Sequence, residues 1–325
     1  MAWPGRRSCS TRCATSASLT DLRPMSQTLK AIWFIPPAVH RAAERHGYLA
    51  AAGIDVDGVL TRSSDQQFEE LRDGLQDAAV TAMDNVIHWN RRGGGGDFRI
   101  VAQVEADTGN TLVAAPGIGS ISELAGKRLL VDSAENGFVV VLRALLADAG
   151  VDFDACTIIR AGGVKERLDA MLAGEGDGTL LGPPFVELGA AQGLRSLAVA
   201  TESYPTFPGQ GIVVRASFIE QHGKKLEAWL ATLEQGRAEC RRDPGAVAQH
   251  IAAAGAPKAS AQQLAGFVGE TLVVSRAGVE LLVAQRRRLG LMGGDTAFGD
   301  LVDAGPMERV LAQLTEASRT GMSRT

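Results

Sequence analysis

From Leu29 onward, short apolar runs alternate with stretches in which apolar residues return every three or four positions, the pattern of strands interleaved with half-buried helices. The runs at 29–34, 54–60, 78–82, 98–104 and 111–115 read as strands. Helices are predicted to open after them at Pro37, at Ser64, which has capping-box spacing to Gln67, and at Asp84. Such alternation predicts an α/β fold with mainly parallel sheets. Past Ser217 the pattern is helical to the end: Leu226, Trp229, Leu230 and Leu233 form one stripe, and Pro244 opens a further helix.

The segment LLVDSAENGFVVVLRALLADAG, residues 129–150, passes from strand to helix without a spacer. Leu129, Leu130 and Val131 stop at Asp132, and Phe138, Val141, Leu142, Leu145, Leu146 and Ala149 then make a helical stripe. Ser133, Glu135, Asn136 and Gly137 therefore stand where a strand's carboxyl end meets a helix's amino end. Free N–H groups and a positive dipole at such junctions receive small ligands in open parallel sheets. An ordinary N-cap by Ser133 or Asn136 would use the same amides.

Residues 52–84 echo residues 149–184. Each has an Ala-Gly-Ile/Val-Asp turn, a strand ending in Arg (Arg62, Arg160), a small polar turn, a helix, a Gly-x-x-Asp turn (Gly74 and Asp77, Gly174 and Asp177) and a second strand. Two lobes of one design follow. Pro116-Gly117 breaks the chain before a short helix capped by Ser120 with Glu123 and ended by Gly126, and YPTFPGQGIVVR at 204–215 holds a second break. These are the expected hinge crossings of a two-lobed cleft. The boundaries expected are a disordered tail at 1–27, a first lobe at 28–115 and 211–315 that includes the C-terminal helices, a second lobe at 116–210, and a tail at 316–325.

The 325 residues hold 33 Lys+Arg against 37 Asp+Glu, for a formal charge of -4, with no dense basic run. No nucleic-acid partner is indicated. No apolar run approaches the roughly 20 residues of a membrane span, so no stable membrane insertion is expected. Cys9, Cys13, Cys156 and Cys240 show neither zinc spacing nor a disulfide framework; no metal and no cofactor is expected. Gly93–Gly96 precede an alternating strand rather than a helix, so they read as a flexible turn and not a phosphate loop. The first 27 residues are rich in Arg and Ser and lack the apolar core of a secretion signal; Arg6-Arg7 is followed by polar residues. They read as disordered, or as translated leader ahead of a start at Met25.

Four segments, AERHGYLAAAGIDVDGVLT, LRDGLQDAAVTAMDNVI, ISELAGKRLLVDSAENGFVVVLRALLADAGVD and VKERLDAMLAGEGDGTLLGPP, carry a resemblance over about residues 28–250. In order and spacing they resemble the substrate-binding proteins of nitrate, taurine, sulfonate and pyrimidine-precursor ABC transporters, the SsuA/THI5-like or NMT1 group with the type II periplasmic-binding-protein fold. The resemblance implies two lobes closing on a small-molecule solute without chemistry, a monomer, an ABC transporter permease as partner, and a periplasmic location. The missing export signal leaves a cytoplasmic location open, and with it an intracellular enzyme on the same fold, either pyrimidine-precursor synthase-like or lyase-like. Those synthases use a cysteine-rich motif and lysine-bound pyridoxal phosphate, whereas this chain has no cysteine cluster and six lysines. Sulfinate-cleaving relatives carry a cysteine in the first-strand loop, which reads WFIPPAVH here.

Carried over position by position, the resemblance implies a ligand held by loops after the strands: Pro36, Pro37, Ser63, Ser64, Thr81 and Asp84 in one lobe. Ser133, Glu135, Asn136, Gly137, Gly162, Gly163, Gly182 and Pro183 face them from the other. The repeat adds Arg62 and Arg160, whose guanidiniums would either clamp one sulfonate or carboxylate from both lobes or pair with carboxylates such as Asp65 and Glu166. Asp84 with His88 at i,i+4 could orient an imidazole, Trp33 and Phe34 could stack on a ring or pack in the core, and Glu187 could meet an amine or stay solvated. No complete catalytic constellation is present.

Overall fold

The computed structural model describes residues 27–93 and 96–322. The expected disorder over 1–26, the alternative start at Met25 and the middle of the glycine run lie outside the described residues. Ten strands form two sheets of one design. The first contains β1 (Gln27–Trp33), β2 (Ile54–Leu60), β3 (Ala78–Ala82), β4 (Phe98–Gln103) and β10 (Gln210–Arg215) in the order β2-β1-β3-β10-β4. The second contains β5 (Thr111–Ala114), β6 (Arg128–Val131), β7 (Thr157–Arg160), β8 (Gly178–Leu181) and β9 (Arg195–Val199) in the order β7-β6-β8-β5-β9. β1 pairs parallel with β2 and β3, and β6 with β7 and β8. β10 runs antiparallel to both its neighbours, as does β5. Four strands of each sheet therefore point one way, and the fifth, which enters from the other lobe, points back.

That polarity fixes the cleft. The chain leaves the first sheet at the carboxyl end of β4 and enters the second at the amino end of β5; it returns from β9 to the amino end of β10. Both crossings thus lie at the edge where the parallel strands end. The crossings run side by side: the Val104 amide donates to the Gln210 carbonyl at 2.9 Å, and the Ala200 amide to the Asn110 carbonyl at 2.8 Å.

The first crossing spans 104–110, upstream of the predicted Pro116-Gly117, and β5 belongs to the second sheet rather than the first lobe. An apolar run reveals a strand, but not which sheet will bury it. The return at 204–209 lies within the predicted break at 204–215.

The repeat holds at the level of single bonds. The Lys30 amide of β1 donates to Asp77 Oδ2 at 3.0 Å, and the Arg128 amide of β6 donates to Asp177 Oδ2 at 2.9 Å. Gly74 and Gly174 take φ of +75° and +74°, the left-handed turn that brings each Asp to its strand. Gln67 Nε2 donates to the Val80 carbonyl at 2.9 Å, and Arg167 Nη2, at the equivalent place, to the Leu180 carbonyl at 3.2 Å.

Helix Ser64–Arg72 is capped by Ser63, whose hydroxyl accepts from the amides of Asp65 at 3.2 Å and Gln66 at 3.4 Å. The capping frame is one residue earlier than the spacing of Ser64 to Gln67 suggests, because Ser63 is the last extended residue. In the C-terminal half, helix Ala216–Arg242 buries Leu226, Trp229, Leu230 and Leu233 and packs on helix Ala38–Arg45. Asp243 caps Pro244–Ala253 through the Ala246 amide at 2.9 Å. Helix Arg276–Arg288 lies against Asp84–Trp89 of the first lobe and Val139–Asp148 of the second. Helix Gly305–Met322 continues through 316–322, predicted as tail, since Leu311 and Leu314 pack against the first lobe's core.

Gly236 sits where the long helix crosses Ala38–Arg45: an added Cβ would lie 2.1 Å from the Val39 carbonyl oxygen. Gly236→Ala should destabilise the protein by about 1–3 kcal/mol through overpacking, outweighing the roughly 1 kcal/mol gain in helix propensity. Gly223→Ala on the same helix, where a Cβ meets nothing within 4 Å, should be neutral or stabilising. Urea unfolding of the two variants measures the contrast.

Candidate functional site: the cavity between the lobes

A cavity of about 150 Å³ lies where the two sheets' strand ends face one another. The first lobe supplies Thr81 and Asn85, the second Ser133, Asn136 and Gly137, and the crossings Glu105, Asn110 and Gln210. Leu264 and Phe267, after the long helix, close a further side. A cavity of this volume takes one ring-sized molecule.

The lobes meet around it through direct bonds. Arg286, with no side-chain exposure, donates from Nε and Nη2 to the two oxygens of Asp84, both at 2.6 Å. Arg286 Nη2 also reaches the Glu135 carbonyl of the second lobe at 2.9 Å, and the Gly137 amide donates to Asp84 Oδ2 at 2.9 Å. Asn136 Nδ2 donates to Asn85 Oδ1 at 2.6 Å, and Ser64 Oγ to Asp132 Oδ2 at 2.9 Å. At the exposed rim, Arg62 of the first lobe pairs with Glu166 of the second at 3.3 Å, and Arg160 of the second with Asp65 of the first at 3.7 Å.

Three ionisable groups line the cavity. Glu105 is 4% exposed, and its side chain accepts from Gln210 Nε2 at 3.1 Å. Burial pushes its carboxyl up to about 7, with Asp107 adding to the rise and Gln210 opposing it. Burial also raises Asp132, against the bond from Ser64 and the attraction of Arg167. Arg167 is brought down to about 10 by burial, and its guanidinium is held by the Gly162 carbonyl at 2.8 Å and the Leu180 carbonyl. Asn110, 6% exposed, has an Nδ2 without a hydrogen-bond partner.

Of the residues predicted to hold a ligand, Ser64, Thr81, Ser133, Asn136, Gly137, Gly163, Gly182 and Pro183 line the cavity. Arg62 and Arg160 do not: their side chains are 84% and 63% exposed, and each pairs with a carboxylate across the lobe boundary. They pair across the rim because Glu166 and Asp65 stand in the first turns of the facing helices. Pro36, Pro37 and Gly162 lie beside the lining without joining it, while Phe34 and Ile35 do join. Ser63 is a helix cap. Asp84 is committed to Arg286 and Gly137 rather than to His88 or a ligand. His88 approaches Glu135 at 3.4 Å, and burial together with Arg286 holds its pKa down, so at neutral pH this contact is not an ion pair. Trp33 is core, and Glu187 accepts from Gln263 Nε2 at 2.7 Å. Helix Val139–Asp148 starts without a side-chain cap; Ser133 Oγ bonds Asn136 Oδ1 and accepts from the Glu135 amide.

Sequence reasoning missed Glu105, Asn110 and Gln210, which follow from the true crossings. The turn signal in VEADTGN, where Asp107 Oδ1 accepts from the amides of Thr108 and Gly109, was there to be read. It also missed Arg286, whose partner is 202 residues away and leaves no local trace.

Two sheets of matched order, joined twice at their facing ends around a cavity, define a two-lobed binding-protein architecture. Residues 39–247 match the family model described as NMT1/THI5 like, and the chain belongs to that family. No curated protein sequence matches it. The ligand binding component of an ABC-type import system from Staphylococcus aureus, with zinc bound, superposes with a TM-score of 0.73 at 15% identity over 87% of this chain and 99% of that one. The alkanesulfonate-binding protein SsuA from Xanthomonas axonopodis pv. citri, bound to MOPS, gives 0.68 at 17% identity over 81% and 92%. The desulfurization enzyme DSZB gives 0.64 at 15% over 88% and 99%. At these identities the likeness is one of fold. Among the described residues no three metal-ligating side chains gather into a metal site, and no helix is long and apolar enough to cross a membrane.

Two outcomes follow from this geometry. Arg286→Met strands Asp84 as a buried unpaired charge and should cost about 3–5 kcal/mol in urea unfolding. Glu105 gives a pH signature. Its carboxyl rises from 4.5 to about 7 on folding, so between these values the native state keeps a proton that the unfolded chain releases. The associated stability is complete below pH 4.5 and is lost as pH rises through 7, a fall of order 3 kcal/mol. Denaturation at successive pH values should show that slope in the wild type and a flatter profile in Glu105→Gln.

Proposed function

We propose that this protein is the solute-binding component of an ABC importer, which encloses one small organic solute between its lobes and presents the closed form to a membrane permease. The observation that carries this is the cavity between the lobes, walled by both lobes and both crossings, with bonds such as Asn136 to Asn85 joining the lobes beside it. A periplasmic site of action accords with that role. Family membership supports it, as do the import-system and SsuA likenesses, while the likeness to DSZB means that fold alone does not separate binder from enzyme.

The side chains favour binding. The cavity lining holds no cysteine; Cys156 and Cys240 are buried elsewhere, and burial pushes the Cys240 thiol up to about 12. A nucleophilic thiolate needs the opposite environment. The cavity carboxyls and Arg167 are held by amide, hydroxyl and carbonyl groups. An anion held between Arg62 and Arg160 is disfavoured by their rim pairing.

A thermal-shift screen over amines, alcohols, carboxylates, sulfonates and nitrate should find a class that stabilises the protein, by about 2.7 kcal/mol at one hundred times the dissociation constant. Mass spectrometry of the same mixtures should return the solute unchanged; reproducible product formation would replace the binding reading with the enzymatic one.

A further inference from the structure

The proposed function leaves open which solute the cavity selects, and the chemistry of its walls answers in part. Phe138, Leu142, Leu180, Phe185, Leu264 and Phe267 make most of the lining apolar, so the body of the solute is apolar and about ring-sized. Charge is distributed unequally over the rest. Among the described residues Arg167 is the only cationic side chain in the lining, and it already donates to the Gly162 and Leu180 carbonyls. Asp132 accepts from Ser64 and is drawn on by Arg167, so those two groups offset one another.

Glu105 has no such offset. It forms no ion pair among the described residues, and its side chain meets only the neutral amide groups of Gln210, where the adjoining crossing enters β10. Among the described residues the one charged group that acts on it is Asp107, of the same sign, whose own oxygens are occupied by the amides of Thr108 and Gly109 and the hydroxyl of Thr201. Neither Arg167 and Asp132 of the second lobe nor any charged residue of the C-terminal segment that packs beside it at Phe267 enters that balance. A buried carboxylate without a cation is costly unless something entering the cavity supplies one.

Resting on the solute-binding reading, we propose that the solute is an apolar amine in its protonated form, with the ammonium group held by Glu105 between the two crossings. The carboxylate is the one uncompensated charge facing the cavity, Gln210 orients it, and the aromatic and leucine side chains take the rest of the molecule. Asn110, with an unpartnered Nδ2 in the same wall, favours a solute that also offers an acceptor near its amine. Selection of this kind is opposite in sign to a sulfonate or nitrate site.

Isothermal titration with benzylamine, benzyl alcohol and benzenesulfonate, which share one ring, tests the assignment. At pH 8 benzylamine should bind about 10- to 100-fold more tightly than benzyl alcohol, as a charge-assisted bond contributes, and benzenesulfonate more weakly than either. In Glu105→Gln the ratio of amine to alcohol should fall to near one. In the wild type, benzylamine affinity should rise up to tenfold per pH unit from pH 5 until the carboxyl is ionised, near 7, and then level off, whereas benzyl alcohol affinity should not follow that curve. Tightest binding of the sulfonate or the alcohol, or an amine preference that survives in Glu105→Gln with no pH dependence, would overturn the amine assignment and leave solute binding standing. Failure of all three probes overturns the assignment too; only an empty screen across every solute class would also remove the reading beneath it.

Discussion

The Arg286–Asp84 pair is the constraint on which the closed arrangement rests. Two charges lie wholly inside the protein, and their desolvation is tolerated because the pairing is bidentate and further bonds surround it: Nη1 on the Met292 carbonyl at 2.7 Å, Nη2 also on the Glu135 carbonyl, and Asp84 also on the Gly137 amide. The arginine comes from a C-terminal helix, the carboxylate from the first lobe, and the amide and carbonyl from the second. One ion pair therefore ties three distant stretches of chain. Arg288, two residues on, binds Asp148 of the second lobe at 2.6 Å, so the helix straps both lobes. Apolar packing could bring these surfaces together, but the fixed fork of a guanidinium also sets their angle.

Around that fixed point the architecture is a doubled unit. Equivalent strands, glycine turns and Asp-to-amide bonds recur in both halves, and the sheets share one order. The halves differ where function lives. Gln67 and Arg167 occupy the same place and make the same bond to a strand carbonyl, yet only Arg167 lines the cavity and brings a charge. Because the strand entering each sheet from the other lobe is antiparallel to the rest, both crossings are forced to the ligand edge. The cavity's polar groups on 104–110 and at Gln210 are a product of sheet polarity as much as of side-chain choice.

Local patterns made much of this readable. β2 and β3 begin and end where the apolar runs do, the stripe from Leu226 to Leu233 is buried, and the repeat of Gly74–Asp77 at Gly174–Asp177 announced two like lobes. The junction at 133–137 was legible as a cavity wall because a strand end running into a helix is a local event. What stayed hidden was decided by partners far along the chain. β5 looks the same in sequence whichever sheet it joins, so the first crossing was misplaced and Glu105 with it. Arg160 does end β7, but β2 stops at Leu60 and Arg62 stands two residues beyond it, where the second lobe has Gly162; the direction of each guanidinium depends on Glu166 and Asp65, which each finds only when the lobes meet.

The side-by-side crossings have a mechanical meaning. If one lobe swings on the other, the crossings are the axle, and displacement grows with distance from it. Glu105 and Gln210 sit on that axle and would hardly travel. Arg62 with Glu166 and Arg160 with Asp65 sit out at the rim and travel furthest. Such a swing would leave the cavity groups on the short arm in place and part the rim pairs on the long arm first.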